Sequence, residues 1–568
     1  MVSQSTVPFK IEDDVLVGEE DSIDDKNINI GELILNAFKS RPDFIGQVDA
    51  MTAEENTFQQ MRERSVKCAL WMKKLGVRRN DIVTIYTSNH LDTYIPYLAT
   101  LYIGSILGVW HESRTINLLY YLQSSPKVIF TDVDKASTIF NVAKMMKIST
   151  KIVVFEKKGK KKGKKADKEE EEFESVKSIL NGDFDETEID EFSCTELESS
   201  RDTAVILFSS GTIDVSRKHV TIPHAFFTSP SNQQTPIMSS NDVGLWVESL
   251  HWNISLLLTV RAILSYVKAV KINNLFNPSY EECFCNIIQK YKVTWAFLKI
   301  SMGRMFSKFK VFEKYDVSSL KQLLFGGRKP NIDYNNFITA LPHTSVSELY
   351  CLPEIGVIAY KQRELIKINS SGYVSKTVRL LIADCISASP LKAYFVGVIW
   401  CKSPSLTNGY FNSTTGTLMT AIDNNGWFHT DDVGYYDSNG DIYILDRFKD
   451  IIRFRNVYFF PSNIEKVLIN HPDVLDVAVI PIFNTFDGHH PLAFVVRKEG
   501  LKVTEKELIE FVAKKLDDPM HLRAGVLFRT ELKYLNGHLD RRTLCKWAKD
   551  DLRDKEYFSK KLLKKENL

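Results

Sequence analysis

The stretch GWFHTDDVGYYDSNGDIYILDRFKDIIRFRN, residues 426–456, alternates short apolar runs with Gly, Asn and Asp. Short apolar runs separated by such residues are typical of antiparallel strands joined by tight turns. The same texture begins near Val378. It predicts a small antiparallel or barrel-like β-subdomain over residues 378–446.

The sequence before this subdomain follows a different pattern. Short runs rich in Val, Ile and Leu alternate with longer stretches such as residues 57–76, in which apolar residues recur at helical spacing. Alternating strands and helices predict an α/β architecture with largely parallel sheets. The strand candidates lie at residues 81–87, 127–132, 151–155, 203–208 and 293–298.

A further α/β unit follows the subdomain. It contains strand candidates at residues 474–482 and 491–498, and a helix that begins with the capping box Thr504-x-x-Glu507. The boundary is expected at residues 446–449. The predicted organisation is an N-terminal extension (1–30), a large domain that includes the subdomain (31–446) and a C-terminal domain (447–568).

Composition restricts the classes of function. The 73 Lys and Arg residues nearly balance the 71 Asp and Glu residues, so the net charge of +2 gives no reason to expect a nucleic-acid partner. The longest apolar stretches, such as residues 254–260, fall far short of the ~20 residues that cross a bilayer, so no transmembrane segment is expected. The 8 scattered Cys residues predict reduced thiols rather than a disulfide framework.

One segment has low complexity. Residues 156–174, EKKGKKKGKKADKEEEEFE, place a basic block before an acidic block. Such blocks bury too little apolar surface to order themselves, so a solvated insertion is the favoured interpretation. A docking tail or an ion-driven switch is the alternative.

The stretch FSSGTIDVSRKHV, residues 208–220, follows a strand candidate. A strand that runs into a turn rich in Ser, Thr and Gly exposes N–H groups and hydroxyls that can hold phosphate oxygens. The stretch is not a Walker A sequence, because Gly211 is not followed by Gly-Lys-Ser/Thr at the required spacing. By itself it is compatible with either a phosphate loop or a structural turn.

Four segments follow this loop in order: FGGRKP (325–330), ELYCLPE (348–354), the stretch at 426–456, and LNGHLDRR (535–542). Together they resemble the motifs of the adenylate-forming acyl-CoA synthetase (AMP-binding) family. The resemblance is strongest to insect luciferase-like and 4-coumarate–CoA ligase-like proteins. It covers nearly the whole chain apart from the N-terminal extension and the charged insertion.

The resemblance implies a fold and a reaction. The fold is α/β, with a large N-terminal adenylation domain of α/β layers plus a small β-barrel, and a small mobile C-terminal α/β domain. Members of the family convert a small-molecule carboxylic acid and ATP into an acyl-adenylate, and then transfer the acyl group to coenzyme A. ATP, Mg²⁺ and coenzyme A are therefore the implied cofactors. The sequence gives no oligomeric state.

The compartment is expected to be the cytoplasm by default. The resemblance makes the peroxisome an alternative, although residues 566–568, Glu-Asn-Leu, do not match a Ser-Lys-Leu signal.

The resemblance assigns contacts with the ribose, the phosphates and the adenine of ATP to four positions. Asp432, in HTDDVG, matches the carboxylate that holds both ribose hydroxyls, and a carboxylate is a bidentate acceptor suited to a diol. Arg447 matches the basic residue that orients the ribose. Glu354 matches the glutamate at the magnesium and phosphate end of ATP, and Tyr350 matches the tyrosine beside adenine.

Further positions match the family in less specific ways. Gly326 and Gly327 match the glycines that let the backbone approach the adenine and acyl groups. Lys449 falls at the interdomain hinge, and Arg453 and Arg455 lie on the coenzyme A side.

The phosphate loop is only partly kept. The family reads S-S-G-T-T-G-x-P-K-G, and the matching nucleotide-binding residues are Ser209, Ser210, Gly211, Thr212 and Lys218. Ile213 and Asp214 stand at the positions of Thr and Gly, and one residue is added before the lysine. Asp214 would bring negative charge beside a triphosphate, at a cost of about 1–4 kcal/mol for a separation of ~4 Å.

Other departures affect the same end of the site. Pro353 replaces a threonine and Cys351 a glycine, while Arg328 replaces the small residue after Gly-Gly. Trp252 stands at the position of an active-site histidine of luciferases. Arg328 and Trp252 are assigned to the acyl pocket, with a core aromatic as the alternative for Trp252.

The largest departure is His538, at the position of the lysine that assists adenylate formation in the family. Histidine is mostly neutral near pH 7 and shorter than lysine. Losing a preorganised charge-stabilising group predicts adenylation slower by roughly 10²–10³.

The sequence therefore leaves two hypotheses. One is a carboxylic acid–CoA ligase, acting on a fatty or aromatic acid, with reduced activity. The other is a catalytically impaired pseudoenzyme that binds a nucleotide, an acyl ligand or a protein partner without turnover.

Overall fold

The computed structural model describes residues 9–20, 28–110, 118–155, 173–208, 219–233, 238–272, 279–303, 306, 309–327, 334–360, 370–412, 415–535 and 538–551 of the 568-residue chain. Most of the charged insertion expected at 156–174 lies outside these ranges. Its last residue, Glu174, begins a short strand and forms an ion pair with Lys151 at 2.9 Å.

The strands are numbered in chain order. Those before residue 210 are β1 (Phe9–Glu12), β2 (Val15–Gly18), β3 (Ile45–Asp49), β4 (Glu55–Thr57), β5 (Ile82–Tyr86), β6 (Ile106–Val109), β7 (Val128–Asp132), β8 (Lys151–Phe155), β9 (Glu174–Ser175) and β10 (Thr203–Phe208). Those of residues 219–447 are β11 (His219–Pro223), β12 (Val243–Trp246), β13 (Lys268–Lys271), β14 (Trp295–Lys299), β15 (Gln322–Gly326), β16 (Ser345–Leu352), β17 (Gly356–Tyr360), β18 (Tyr373–Val374), β19 (Arg379–Ala383), β20 (Gly397–Lys402), β21 (Gly409–Asn412), β22 (Thr417–Met419), β23 (Phe428–Tyr436) and β24 (Ile442–Arg447). The remaining strands are β25 (Ile452–Phe454), β26 (Val457–Phe459), β27 (Val474–Asn484), β28 (Gly488–Arg497), β29 (Val526–Arg529), β30 (Tyr534–Leu535) and β31 (His538–Leu539).

The helices are α1 (Ile30–Ser40), α2 (Phe58–Lys74), α3 (Tyr94–Ile103), α4 (Leu118–Leu122), α5 (Val133–Met145), α6 (Val176–Leu180), α7 (Glu186–Asp190), α8 (Ala225–Thr228), α9 (Pro230–Gln233), α10 (Asn253–Leu264), α11 (Tyr280–Tyr291), α12 (Ile300–Gly303), α13 (Tyr334–Ala340), α14 (Pro461–Leu468), α15 (Glu505–Ala513) and α16 (541–551). Helix α2 begins at a capping box in which the Thr57 side chain accepts from Gln60 N–H and the Gln60 side chain accepts from Thr57 N–H. In the described ranges, no helix is both long and apolar enough to span a bilayer.

The first large sheet has its described strands in the order β22-β21-β11-β10-β6-β5-β7-β8-β9. The six strands from β10 to β9 pair in parallel, while β11, β21 and β22 pair antiparallel. The strands β21 and β22 belong to the segment predicted as part of the β-subdomain. They extend this sheet instead, because Gly409–Phe411 pair with the strand that follows the phosphate loop.

The second large sheet has the order β18-β17-β16-β15-β14-β12-β13-β3-β4 within the described residues. Its central strands from β16 to β3 are parallel, and β17, β18 and β4 add antiparallel edges. Residues of both large sheets and of α1, α2, α3 and α10 form one continuous buried core. The predicted α/β architecture with largely parallel sheets is confirmed.

A smaller antiparallel sheet carries β23 and β24, with the order β1-β2-β19-β20-β23-β24. Its first two strands come from the segment predicted as an N-terminal extension. They form a hairpin whose two turn residues, Asp13 and Asp14, have φ of 49° and 63°, as a two-residue turn with left-handed residues requires. The Phe9 ring of this hairpin stacks on Tyr373 at 5.4 Å.

The C-terminal domain is built on a five-stranded sheet that is antiparallel except for one strand. Strands β26, β25, β28 and β27 pair antiparallel in that order, and β29 adds in parallel to β28. The predicted capping box opens α15, because Glu507 N–H donates to Thr504 Oγ1 at 3.2 Å and Thr504 N–H donates to Glu507 Oε2 at 2.7 Å.

A buried arginine ties the hinge segment to this domain. Arg541 is at the start of α16, and its Nη1 contacts Glu465 Oε1 at 2.8 Å and the carbonyl of Val479. Its Nε lies 3.7 Å from Asp450 Oδ2, in the turn that follows β24. Burial alone would lower the pKa of Arg541, but Glu465, followed by Asp446 and Asp450, raises it above its ordinary value.

Replacing Arg541 with Met is expected to destabilise the C-terminal domain by about 3–5 kcal/mol, because two buried carboxylates lose their common cation. Chemical denaturation followed by intrinsic fluorescence measures the loss. The neighbouring Arg542 is exposed, so Arg542→Met is the matched control. Equal losses in both variants would contradict a structural role for Arg541.

Replacing Gly440 with Ala is expected to lower stability by about 1–3 kcal/mol through overpacking. Gly440 has φ of 77°, and a Cβ there would lie 1.9 Å from Phe9 Cζ, so the N-terminal hairpin would have to move. The control is Gly76→Ala, because Gly76 has φ of 86° and no atom within 4 Å of its Cβ position. A thermal shift no larger than that of the control would refute the Phe9 contact.

Candidate functional site

A buried carboxylate with two polar partners lies where the small sheet meets the second large sheet. Asp432 of β23 is 6% exposed, and its Oδ1 accepts from Arg447 Nε at 2.6 Å. Its Oδ2 accepts from the Tyr350 hydroxyl at 2.8 Å. Three of the residues assigned to nucleotide binding are therefore in direct contact.

The strand pairing explains this convergence. Asp432 and Arg447 are opposite each other in the register of β23 and β24, so an antiparallel pair brings their side chains together on one face. Thr430 supports both residues, since its Oγ1 accepts from Asp432 N–H at 3.1 Å and its carbonyl accepts from Arg447 Nη1 at 3.3 Å. Tyr350 comes from β16, near the carboxyl end of that strand.

The electrostatics of the cluster favour a charged arginine. Burial alone would lower the pKa of Arg447, but Asp432, followed by Tyr350, Glu354 and Asp431, raises it above its ordinary value. Burial, with Asp432 second, raises the pKa of Tyr350 well above its ordinary value. The tyrosine therefore stays a hydroxyl donor, and the arginine keeps its positive charge throughout the physiological pH range.

A second carboxylate stands directly beside the first. Asp431 occupies the glycine position of the family's H-T-G-D motif and has φ of 60°. A left-handed residue is what a glycine would supply there, and aspartate is among the few other residues that adopt it readily. Asp431 therefore has the left-handed backbone conformation that a glycine would adopt, and it adds a negative charge.

Glu354 lies in the turn between β16 and β17. Ile355 N–H donates to the carbonyl of Leu352 at 3.2 Å, so Pro353 is the second residue of a β-turn, a position that proline favours and where its missing N–H is not needed. The Tyr410 hydroxyl donates to Glu354 Oε1 at 3.3 Å. The threonine hydroxyl expected at position 353 is absent, but the turn that presents Glu354 is intact.

The two glycines assigned to close backbone approach are both at positions that restrict a side chain. Gly326 ends β15, and a Cβ on it would lie 2.5 Å from Phe297 Cζ. Gly327 has φ of 116°, which residues with a side chain rarely adopt. A larger residue would be strained at either position.

Trp252 lies at the N-terminus of α10, close to these glycines. Its ring is 6.4 Å from the ring of Phe297 and 4.5 Å from Lys299 Nζ. It packs against the main core while remaining partly exposed. Cys351 is next to Tyr350 in sequence, and burial raises the pKa of its thiol to about 12, so this sulfur is not a nucleophile at neutral pH.

The residues assigned to the hinge and to the coenzyme A side lie in the turn after β24 and in the hairpin of β25 and β26. Lys449 lies in a single turn of 3-10 helix directly after β24. Arg455 is exposed and contacts Asp487 at 2.8 Å, and Arg453 Nε donates to the carbonyl of Arg455 at 3.1 Å. The left-handed residue of this hairpin is Arg455, with φ of 52°.

Several assigned residues lie outside what the structure describes. They are Ser209, Ser210, Gly211, Thr212, Lys218 and Arg328. His538 is in β31, opposite Leu535, and only its backbone is described.

Sequence reasoning missed three contributors to the site. Tyr410 donates a hydrogen bond to Glu354, Thr430 accepts one from the backbone N–H of Asp432, and Asp431 adds charge. Thr430 and Asp431 lie inside the quoted HTDDVG motif, so that motif carried their signal. No sequence signal pointed to Tyr410, because it contacts Glu354 from β21, a strand that the sequence assigned to the β-subdomain.

The residues present can be compared with the implied cofactors. Asp432 is suited to a ribose diol because it can accept two hydrogen bonds, which Tyr350 and Arg447 now donate. Magnesium in nucleotide sites needs only one or two protein carboxylates besides the phosphates, and Glu354 can supply one. Among the described residues, no group of three or more His, Cys, Asp or Glu forms a metal cage. Of the two arginines assigned to the coenzyme A side, Arg455 is in an ion pair with Asp487.

Comparisons with known proteins agree with this geometry. Residues 36–411 match the model of the AMP-binding enzyme family, and residues 463–534 match that of the AMP-binding enzyme C-terminal domain. The chain is 26% identical over 523 residues to luciferin 4-monooxygenase of Photinus pyralis, covering 89% of this chain and 91% of that protein. It is 27% identical over 531 residues to probable 4-coumarate–CoA ligase 3 of Dictyostelium discoideum, covering 91% and 94%.

The fold is also that of solved structures. ATP-bound MatB from Rhodopseudomonas palustris superposes with a TM-score of 0.79 at 18% identity, over 92% of this chain and 99% of that one. The predicted acyl-CoA synthetase and luciferase-like fold is confirmed. Because the two family models match residues 36–411 and 463–534, the chain belongs to the AMP-binding enzyme family.

Proposed function

We propose that the chain is an ATP-dependent carboxylic acid–CoA ligase that acts through an acyl-adenylate, with reduced activity. The observation that carries this proposal is the buried contact of Asp432 with Tyr350 and Arg447. A carboxylate has about four acceptor sites, so Asp432 can keep these two donors and still accept hydrogen bonds from the two hydroxyls of a ribose. The names of the 4-coumarate–CoA ligase relatives support the reaction class.

The reaction has two displacement steps. In the first, a carboxylate oxygen of the acid attacks the α-phosphorus of ATP, a new O–P bond forms, and pyrophosphate leaves. In the second, the thiolate of coenzyme A attacks the acyl carbon and AMP leaves. In this chain Asp432 and Arg447 would orient the ribose, Glu354 would hold Mg²⁺, and His538 would stand near the reacting carboxylate. The magnesium ion, when bound, offsets the negative charge of the phosphates.

Reduced activity is proposed for two physical reasons. Charge that develops on the α-phosphate is best stabilised by a fixed cation, and His538 is mostly neutral at pH 7. Negative charge has also been added to the site, by Asp431 beside the ribose carboxylate and by Asp214 in the phosphate loop. Each added charge disfavours a triphosphate more than a monophosphate.

The alternative is a pseudoenzyme that keeps the nucleotide site and does not turn over. The left-handed Asp431 favours this candidate specifically, because it preserves the shape of the ribose site while adding a charge. The nucleotide-binding form of this alternative differs from the ligase in pyrophosphate release; the other forms bind an acyl ligand or a protein partner without turnover.

Asp432→Asn is expected to weaken AMP and ATP binding by at least about tenfold, because a charge-assisted hydrogen bond contributes about 1.5–3 kcal/mol. Isothermal titration calorimetry measures the affinity, and a thermal melt confirms that the variant is folded. Asp43→Asn is the matched control, since Asp43 is exposed on the surface. Unchanged nucleotide affinity in Asp432→Asn would remove Asp432 from the nucleotide site.

His538→Lys is expected to accelerate pyrophosphate release by roughly 10²–10³ if the rest of the site is competent, because it restores a fixed positive charge. The assay is a coupled pyrophosphate measurement over medium-chain, long-chain and aromatic acids. His343→Lys, at an exposed position of the large domain, adds the same charge as a control. If the natural chain gives no pyrophosphate and only His538→Lys does, the pseudoenzyme candidate replaces the ligase.

A further inference from the structure

The N-terminal hairpin of β1 and β2 contacts the turn between β23 and β24. A Cβ on Gly440, in that turn, would meet three atoms of the Phe9 ring before any other atom. The strands β1 and β24 are at opposite ends of the strand order of the small sheet, so this contact closes one edge of the sheet onto the other. The hairpin, residues 9–18, is hereafter called the N-terminal strap.

The same ring also covers the segment to which β24 is fixed. Phe9 stacks on Tyr373, with ring centroids 5.4 Å apart. The two residues before Tyr373 bind the first residue of β24 through the backbone. Ile442 N–H donates to the carbonyl of Gly372 at 2.9 Å, and Ser371 N–H donates to the carbonyl of Ile442 at 2.8 Å. Phe9 therefore lies over the point at which β24 begins.

This segment continues to the second large sheet. Ser371 Oγ donates to Glu348 Oε1 at 3.3 Å. Glu348 is in β16, two residues before Tyr350, so the two side chains share one face of that strand. Leu16 of the N-terminal strap and Tyr350 belong to one buried cluster, and Phe9 packs against it. The strap thus packs on both sheets that meet at the Tyr350–Asp432 hydrogen bond.

The hairpin of β23 and β24 carries the charged pair of the site at its open end. Its register runs from Tyr436–Ile442 beside the turn to Asp432–Arg447 at the far end. The register shifts once, next to Val433, between the turn and the charged pair. A bulge disrupts the ladder locally and lets a strand bend. The position of the charged pair therefore depends on how the whole hairpin is held, and not on the ladder alone.

We propose that the N-terminal strap sets the nucleotide affinity of the candidate site, with Phe9 as its positioning residue. Packed against the turn and against Tyr373, the ring limits movement of β23 and β24 relative to the second large sheet. The Tyr350 hydroxyl and Asp432 are 2.8 Å apart across that junction, and a hydrogen bond weakens as it is lengthened or bent. The inference rests on the proposed function for the nucleotide as ligand. Phe9 acts through Gly440 and Tyr373, and takes no part in the bond-breaking steps.

The test is Phe9→Ala in the full chain, with AMP affinity measured by isothermal titration calorimetry. The variant is expected to bind AMP about three- to tenfold more weakly, because a hydrogen bond to a charged carboxylate loses part of its energy when its geometry is loosened. Ile11→Ala is the matched control, since Ile11 is on the same strand and is 45% exposed. The control is expected to keep the natural affinity. Thermal melts confirm that both variants are folded at the titration temperature.

Phe9→Leu makes the same test with a smaller loss of packing. It keeps an apolar side chain and removes the ring that stacks on Tyr373. Its AMP affinity is expected to lie between those of the natural chain and Phe9→Ala. This variant decides the question if Phe9→Ala does not stay folded.

Hydrogen–deuterium exchange gives a readout that does not need nucleotide. In Phe9→Ala the backbone amides of residues 428–447 are expected to exchange faster than in the natural chain, because local opening of the hairpin becomes easier. The amides of residues 474–497, in the C-terminal sheet, are expected to keep their natural rates. A merely structural role would lower the melting temperature and leave the AMP affinity unchanged.

A second substitution tests whether the contact with Gly440 carries the effect. Gly440→Ala places a methyl group against the Phe9 ring, so it is expected to weaken AMP binding in the natural chain. In the Phe9→Ala background the ring is absent, and the effect of Gly440→Ala is expected to fall to about twofold or less. Equal effects in both backgrounds would show that the two residues act independently, which overturns the inference.

The outcomes separate the inference from the proposed function. Weaker AMP binding and faster exchange in the Phe9 variants, with natural values in Ile11→Ala, support the strap. Natural AMP affinity in a folded Phe9 variant overturns the inference and leaves the proposed function in place. An equal loss in Ile11→Ala, or unchanged exchange at residues 428–447, also overturns it. Failure of the natural chain to bind AMP refutes the nucleotide site itself, and the inference with it.

Discussion

The site depends on one buried charge pair, between Asp432 and Arg447. The two residues lie opposite each other on adjacent antiparallel strands and are held at 2.6 Å, with Tyr350 from another sheet occupying the second carboxylate oxygen. Removing one partner of such a pair typically costs about 3–5 kcal/mol, because the other charge is left buried. The Tyr350 hydrogen bond to Asp432 joins the small sheet, which holds both charged residues, to the second large sheet. The proposed function makes the same carboxylate the ribose acceptor. A structural role and a proposed binding role therefore fall on Asp432.

The positions assigned to the two ends of the proposed nucleotide site depart from the family motifs to different degrees. At the ribose end, Tyr350, Asp432 and Arg447 are in contact and Gly326 and Gly327 keep their special backbone roles. At the phosphate end the sequence has Asp214 and Pro353, and His538 in place of lysine. Pro353 does not disturb the backbone, because proline is favoured at its position in the turn that contains Glu354. At the ribose end, Asp431 places a second carboxylate next to Asp432.

Much of the fold could be predicted from local patterns, since buried parallel strands are continuous apolar runs and the capping boxes of α2 and α15 are explicit in the sequence. Pairings between distant segments could not. The hairpin at Phe9–Gly18 joins β19, about 360 residues later, and β21 joins the first large sheet rather than the subdomain. Local periodicity does not specify which edge a strand will meet. Asp432 and Arg447 lie within a sequence motif and could be identified from it. Tyr410 and Arg541 make contacts between distant segments, so their roles became visible only in the structure.

A comparison of AMP and ATP affinities in the natural chain tests the central claim most directly. If the ribose end is intact and the phosphate end is impaired, calorimetric titration should give measurable AMP binding and an ATP affinity within about threefold of it. A difference of threefold corresponds to about 0.7 kcal/mol, so the β- and γ-phosphates would contribute almost nothing. ATP binding 100-fold tighter than AMP would contradict an impaired phosphate end, and no AMP binding would contradict an intact ribose end.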